Sequence, residues 1–202
     1  MSSDQDGYTK LNTAAKYNRL EEAAEYINAA KDLGILSTFI DKATNYGTPP
    51  LWIASLNGHL EMVELLVKNG ATIDKAGHNG VTPLFMASKH KHLEVVQHLL
   101  EKGATIDMAG NSGILEFASE MGRLQVVELL LQKGATVDQA NNDGWTPLMT
   151  ASYFGHLDIV NVLLKHNSDI HLKDKDGDTA LHYARNKGHT EIVKTLEEHL
   201  RH

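Results

Sequence analysis

Apolar residues recur with a helical period along this chain, and the pattern is clearest in residues 144–164. From Leu157 onwards, leucine and valine stand at positions i, i+3, i+6 and i+7, the spacing that lines one face of a helix. A shorter segment, 147–151, comes just before it, and Gly155 separates the two. Because glycine readily adopts the left-handed conformation that ends a helix, the pattern predicts a short helix, a turn and a longer helix.

The residues before the short segment carry the signals of a helix start. Gly144 suits a tight turn that needs a positive φ. Thr146 can accept a hydrogen bond from a backbone N–H of the first helical turn. Pro147 then falls at the first helical position, where no N–H is needed. Together these residues predict a tight turn followed by a capped helix.

The same arrangement repeats along the chain. The alanine of the short helix recurs with spacings of 33, 31, 33 and 33 residues, at Ala54, Ala87, Ala118, Ala151 and Ala184. Two short helices cannot bury an apolar face alone, so neighbouring copies must cover one another. A fixed period near 33 residues therefore predicts a solenoid of stacked helix pairs.

The period also predicts the boundaries of six repeats. We expect a disordered leader at 1–7, a divergent N-terminal capping repeat at 8–43, inner repeats at 44–76, 77–109, 110–140 and 141–173, and a C-terminal capping repeat at 174–202. The first repeat has seven extra residues, which we place around 28–37 in a lengthened second helix and its exit. The fourth repeat is two residues short in its turn and lacks the Thr-Pro cap.

Composition narrows the possible functions. The 202 residues carry a net charge of −7, which argues against nucleic acid or an anionic membrane as the main partner. The chain has no cysteine, so disulfides, zinc thiolates and a cysteine nucleophile are excluded. There is no apolar run of 18 residues, so we expect no membrane span. We expect an intracellular monomer in the cytoplasm, with the nucleus as the alternative location.

Three segments carry a resemblance to a known family. Gly80–Ala87 reads Gly-Val-Thr-Pro-Leu-Phe-Met-Ala, and Gly144–Ala151 and Gly177–Ala184 follow the same pattern, the last with alanine for proline. This pattern resembles the Gly-x-Thr-Pro-Leu-His-x-Ala signature of ankyrin repeats. The chain is similar to that family over about residues 14–200.

The resemblance implies an all-α solenoid of antiparallel helix pairs with β-turn fingers and a concave face. It further implies a protein-binding scaffold without catalysis or cofactor. The function we expect is an adaptor or inhibitor that binds a protein or an extended peptide on the concave face. An enzyme with an unrecognised site is the remote alternative.

The family's variable positions lie beside the turn glycine and near the end of the first helix. Carried over residue by residue, they select as protein-binding residues Tyr46, Leu56, His78, Asn79, Lys89, His90, Glu120, Met121, Asp143, Trp145, Tyr153 and Phe154. We expect a surface centred on the fifth repeat, because aromatic side chains dominate interface hot spots. It would reach over the shortened turn of the fourth repeat towards the third and second. Alternatively, Trp145 and Phe154 pack against neighbouring fingers.

Four further residues occupy the slot of the signature histidine, and we include them in the binding set: Trp52, Phe85, Glu116 and Met149. The slot is partly buried between first helices in this family, so packing is the favoured role of its three apolar occupants. Glu116 either receives a basic group of a ligand or reflects sequence drift.

Two remaining patterns invite other chemistry. Histidines two apart in the segment 89–92 do not share a helix face, so a metal site is not expected there. Aspartates recur near the end of each repeat, at Asp41, Asp74, Asp107 and Asp138, and we expect them to accept hydrogen bonds from backbone N–H groups. In this family the ankyrin-modifying asparaginyl hydroxylase acts on the loop position held here by Asp74, Asp107, Asp138 and His171. A role as its substrate or decoy is therefore a second hypothesis, although that enzyme prefers asparagine.

Overall fold

The structure is a computed structural model that describes residues 9–77, 80–106 and 113–201. Every regular element in this part of the chain is helical, which confirms the all-α prediction. The helices are α1 (Lys10–Lys16), α2 (Leu20–Asp32), α3 (Leu36–Phe39), α4 (Pro50–Asn57), α5 (Leu60–Lys68), α6 (Pro83–Lys89), α7 (Leu93–Glu101), α8 (Ile114–Glu120), α9 (Leu124–Gln132), α10 (Pro147–Phe154), α11 (Leu157–Lys165), α12 (Ala180–Lys187) and α13 (Thr190–His199). The predicted leader and the turn of the fourth repeat lie outside the described residues.

The helices form two compact units, an N-terminal unit (1–105) and a C-terminal unit (106–202). In the N-terminal unit, α1, α4 and α6 pack side by side, and each also packs against the following helix, α2, α5 or α7. The C-terminal unit repeats this arrangement, with α8, α10 and α12 in one layer and α9, α11 and α13 in the other. Each unit thus has the architecture of an ankyrin-repeat solenoid.

Buried leucine, valine and alanine side chains fill the space between the two layers of each unit. Leu51 and Leu66 are fully buried in the N-terminal unit, as are Val160 and Leu163 in the C-terminal unit. The apolar faces read from the sequence are therefore the faces that the helix pairs bury against one another.

Threonine side chains start the first helices of several pairs. The hydroxyl of Thr146 accepts a hydrogen bond from the Met149 N–H at 3.3 Å, which confirms the predicted cap. Helices α4 and α8 are exceptions, because their N-cap residues are Pro49 and Gly113 and no side chain caps either helix.

Glycine is required where α10 ends. Gly155 has a φ of +82°, a value that costs an ordinary side chain about 1–2 kcal/mol. A Cβ there would also lie 2.6 Å from the ring of His189. That ring is held in place, since its Nε2 donates to the Tyr153 carbonyl at 3.0 Å. The histidine before α13 thus ties the last helix pair to the preceding one, and the glycine leaves room for it.

Lys91 occupies the equivalent turn with a φ of +63°, and replacing it by glycine should stabilise the chain. The gain should be about 1 kcal/mol or less, because relief of the left-handed strain exceeds the entropy that glycine loses on folding. Chemical denaturation of Lys91→Gly measures it. As a control, Lys68→Gly replaces the last residue of α5 and should lower the free energy of unfolding by about 0.5–1 kcal/mol. Equal destabilisation by both changes would contradict the prediction.

The first helix pair has an unusual exit. Helix α2 contains 13 residues where α5 contains nine, and α3 follows it after a short turn. Leu33 in this turn is 66% exposed, whereas Phe39 and Ile40 beyond it are buried. The residues that the sequence marks as extra, 28–37, cover the end of α2, this turn and the start of α3.

Candidate functional site: an aromatic patch in the C-terminal unit

Four aromatic side chains of α10, α12 and the turn before α10 lie in contact. We call Trp145, Tyr153, Phe154 and Tyr183 the aromatic patch. The ring centroid of Trp145 lies 4.4 Å from that of Tyr183 and 5.3 Å from that of Tyr153. Tyr153 in turn lies 5.0 Å from Phe154. These are the distances of favourable aromatic pairs.

The patch reaches the surface unevenly. Phe154 is 45% exposed, Trp145 and Tyr153 are half-buried, and Tyr183 is buried. Trp145 thus packs on the next helix pair, while Phe154 presents nearly half of its surface to solvent. Single exposed apolar side chains are common, but an exposed ring on a cluster of further rings is typical of an interaction surface.

A positive charge lies on the patch. The ammonium nitrogen of Lys187 is 4.0 Å from the ring centroid of Tyr153, over the ring. This is the geometry of a cation–π contact. Lys187 itself is the exposed last residue of α12.

Two adjacent tight turns, one before α10 and one before α12, hold the aromatic patch in position. The side-chain oxygen of Asn141 accepts the N–H groups of Asp143 and Trp145 at 2.9 and 3.1 Å. The Lys175 N–H of the next turn donates to the Asp143 carbonyl at 3.1 Å. A Cβ on Gly144 would come within 3.0 Å of the next turn's backbone. Glycine therefore permits this close approach, which fixes the position of Trp145.

A buried hydrogen bond anchors Tyr183. Its hydroxyl donates to the Asp174 carboxylate, and both side chains are 8% exposed. Burial acts to raise the pKa of Asp174, but hydrogen bonds from Tyr183 and three backbone N–H groups outweigh burial and hold that pKa below its usual value. Burial, the bond to Asp174 and the nearby aspartate charges raise the pKa of Tyr183. At neutral pH the pair is therefore a neutral phenol and a carboxylate.

Two residues of the predicted binding set are buried and are corrected here. Met149 is 1% exposed and Glu116 is 5% exposed. One carboxylate oxygen of Glu116 accepts hydrogen bonds from the Thr150 hydroxyl at 3.1 Å and the Asn141 amide at 3.4 Å. Neither side chain is accessible to a partner, because the chain's own helices and turns cover them.

The slot of the signature histidine is less buried in the N-terminal unit. The indole N–H of Trp52 donates to the Val81 carbonyl at 3.0 Å, and a Cβ on Gly77 would come within 2.9 Å of the indole nitrogen. Trp52 and Phe85 are half-buried. Trp52 therefore packs beneath the following turn, as the packing interpretation expects.

The remaining predicted residues vary in exposure. Tyr46 is 65% and Met121 38% exposed. Lys89, His90 and Asp143 are exposed, and Leu56 and Glu120 are half-buried. His78 and Asn79 lie outside the described residues. A single surface that runs through both units remains a prediction.

The aspartates that recur near the repeat ends accept hydrogen bonds from the next repeat. The Asp41 carboxylate accepts the Thr72 N–H at 3.0 Å, and that of Asp74 accepts the Thr105 N–H at 3.1 Å. Asp138 accepts the Ser168 hydroxyl at 2.5 Å and the Asp169 N–H at 3.0 Å. The expected role is confirmed for these three, and Asp107 lies outside the described residues.

In the histidine-rich segment 89–92, His90 has a shifted pKa. Burial, and then the charges of His92 and Lys89, lower the pKa of His90 below its usual value. The His92 ring is held elsewhere, since its Nε2 lies 3.0 Å from the Leu56 carbonyl. Among the described residues, no three histidine or carboxylate side chains converge as metal ligands would.

Sequence reasoning missed two members of the site. Tyr183 stands in an internal slot that Ile53 and Met86 fill in other repeats, and an aromatic hydroxyl there was a signal that a polar partner must lie close by. Asp174 stands where Asn141 opens the preceding turn. Asp174 and Tyr183 meet because the turn that contains Asp174 lies close to the helix that contains Tyr183.

Comparison with known proteins agrees with this architecture. A family model described as ankyrin repeats (3 copies) matches residues 11–110 and 115–201. No curated protein matches the chain. Within residues 9–77, 80–106 and 113–201, no helix is long and apolar enough to cross a membrane. With the family match covering most of its length, the chain belongs to the ankyrin repeat family.

Proposed function

We propose that this chain is a non-catalytic adaptor or inhibitor that binds a protein partner through the aromatic patch. Ankyrin repeats generally serve as protein–protein interaction modules and are typically not catalytic. The observation that carries the proposal is Phe154, which is 45% exposed on a cluster of three further rings. Aromatic side chains in such clusters supply much of the binding energy in protein interfaces.

The patch suits binding for a further reason. Trp145 and Tyr153 are held by ring contacts and tight turns, so they lose little conformational entropy when a partner docks. The exposed side chains around them include Asp143 and Lys187. A rigid aromatic centre with a polar border is the usual composition of an interface. The proposed partner is a folded protein or an extended peptide.

Phe154→Ala should weaken partner binding at least about tenfold, because a truncated aromatic hot spot costs about 2 kcal/mol. The measurement is affinity capture from cells that express the chain, with wild-type and variant baits compared by quantitative mass spectrometry. Proteins that bind the wild type and are depleted from the variant are then measured individually with purified components.

Tyr17→Ala is the matched control. Tyr17 is an exposed aromatic residue, 58% exposed, in the N-terminal unit and outside the predicted set. Its variant should retain the partners that Phe154→Ala loses. Identical partner profiles for wild type and Phe154→Ala, with both folded by circular dichroism, would overturn the proposal.

A further inference from the structure

We propose that the ring face of Tyr153 is a cation subsite that receives an arginine of the partner, and that Lys187 occupies it in the unbound chain. The inference rests on the proposed function and specifies the chemistry of the partner at the aromatic patch.

The first observation is the internal cation. The Lys187 ammonium lies over the Tyr153 ring at 4.0 Å from its centroid. Trp145, Phe154 and Tyr183 meet the same ring at interplanar angles of 63°, 66° and 68°, so these neighbours do not stack in parallel on it. The face of Tyr153 that Lys187 covers is therefore one that accepts a cation.

The second observation is the charge around the patch. Asp174 accepts the Tyr183 hydroxyl, and Asp176 and Asp178 belong to the same turn, since their N–H groups donate to the Asp174 carboxylate at 3.0 Å. Tyr183 in turn contacts both Trp145 and Tyr153. The C-terminal unit contains 14 Asp and Glu against nine Lys and Arg, a net charge of −5. The potential at the patch therefore favours a cation over an anion.

Arginine fits this face better than lysine does. Its guanidinium is planar, is weakly hydrated and stacks on aromatic rings. An arginine brought by a partner would displace the Lys187 ammonium into water, where an exposed lysine loses little. Occupation by Lys187 lowers the affinity of the open face only about two- to fivefold, the strength of an exposed cation–π contact. Lys187 thus covers the ring face of Tyr153 in the unbound chain without excluding an arginine.

The test uses a probe of defined chemistry on the full chain. N-acetyl-arginine amide is titrated while the ring signals of Tyr153 and Phe154 are followed by NMR. N-acetyl-citrulline amide, which has nearly the same shape and no charge, is the matched control. The arginine amide should shift these signals with saturation and the citrulline amide should not. Tyr153→Leu should abolish the effect.

Two lysine variants separate occupation of the ring from simple charge repulsion. Lys187→Met should tighten binding of the arginine amide about two- to fivefold, because the competing cation is gone. Lys175→Met removes one charge from the adjacent turn and leaves Lys187 over the ring, so its effect should be smaller than twofold. Equal effects of the two variants, or equal binding of the citrulline amide, would overturn the inference.

The inference and the proposed function can fail separately. Loss of partners from Phe154→Ala without saturable binding of the arginine amide overturns the cation subsite and supports the proposed function. Binding of the arginine amide with no change in captured partners shows that the Tyr153 face binds a cation, but it overturns the proposed function and with it an arginine supplied by a partner at this patch.

Discussion

Met149→Ala is expected to lower the free energy of unfolding by about 2–5 kcal/mol, the usual cost of truncating a buried methionine. Met149 lies in the first turn of α10 and is 1% exposed. Its sulfur also lies 3.5 Å from the Thr146 N–H, at the start of the same helix. Removing the side chain leaves a cavity between packed first helices and loosens the turn that carries Trp145. Urea denaturation followed by circular dichroism measures the change.

Phe154→Ala is the control in the same helix. Because Phe154 is 45% exposed, its removal should cost about 1 kcal/mol or less. Met149→Ala should thus mainly lower the free energy of unfolding, whereas Phe154→Ala should mainly weaken partner binding. A Met149→Ala protein of wild-type stability that lost its partner would restore Met149 to the binding surface.

The fold was readable from the sequence because its signals are local. Thr146, Pro147 and Gly155 determine where α10 begins and ends, and they act on their own backbone. The apolar positions of the second helices follow the period of 3.6 residues, so their buried face is visible without a structure. The stacking of the helix pairs could be inferred from the family pattern and from the regular spacing of the alanines.

The site was less readable because exposure depends on neighbouring repeats. Trp52 and Met149 occupy the same slot of the repeat, yet Trp52 is half-buried and Met149 is fully buried. The difference arises from what the helices and the next turn place over each side chain, which no period within one repeat encodes. The hydrogen bond between Tyr183 and Asp174 was missed for a related reason. It joins a residue of a turn to a residue of a helix, and the two are nine positions apart in the sequence.

The Asp174 carboxylate should be a main determinant of stability in the last repeat. It accepts the Tyr183 hydroxyl and, at 3.0 Å, the N–H groups of Asp176 and Asp178. Asp174→Ala leaves these donors without their acceptor in a buried site and should cost about 2–4 kcal/mol. Asp174→Asn should cost less, because Asn141 shows that an amide oxygen can hold the equivalent turn. A double-mutant cycle with Tyr183→Phe isolates the contribution of the pair.

The pH dependence of stability distinguishes a carboxylate from an amide at this position. The pKa of Asp174 is lower in the folded chain than the value of about 3.9 expected when unfolded. Its contribution is therefore complete above that pH and is lost as the pH falls through the folded value. The stability difference between wild type and Asp174→Asn should be constant from about pH 5 to 8 and shrink below about pH 4. Denaturation curves across this range measure it, and a difference that did not change with pH would show that the charge contributes nothing.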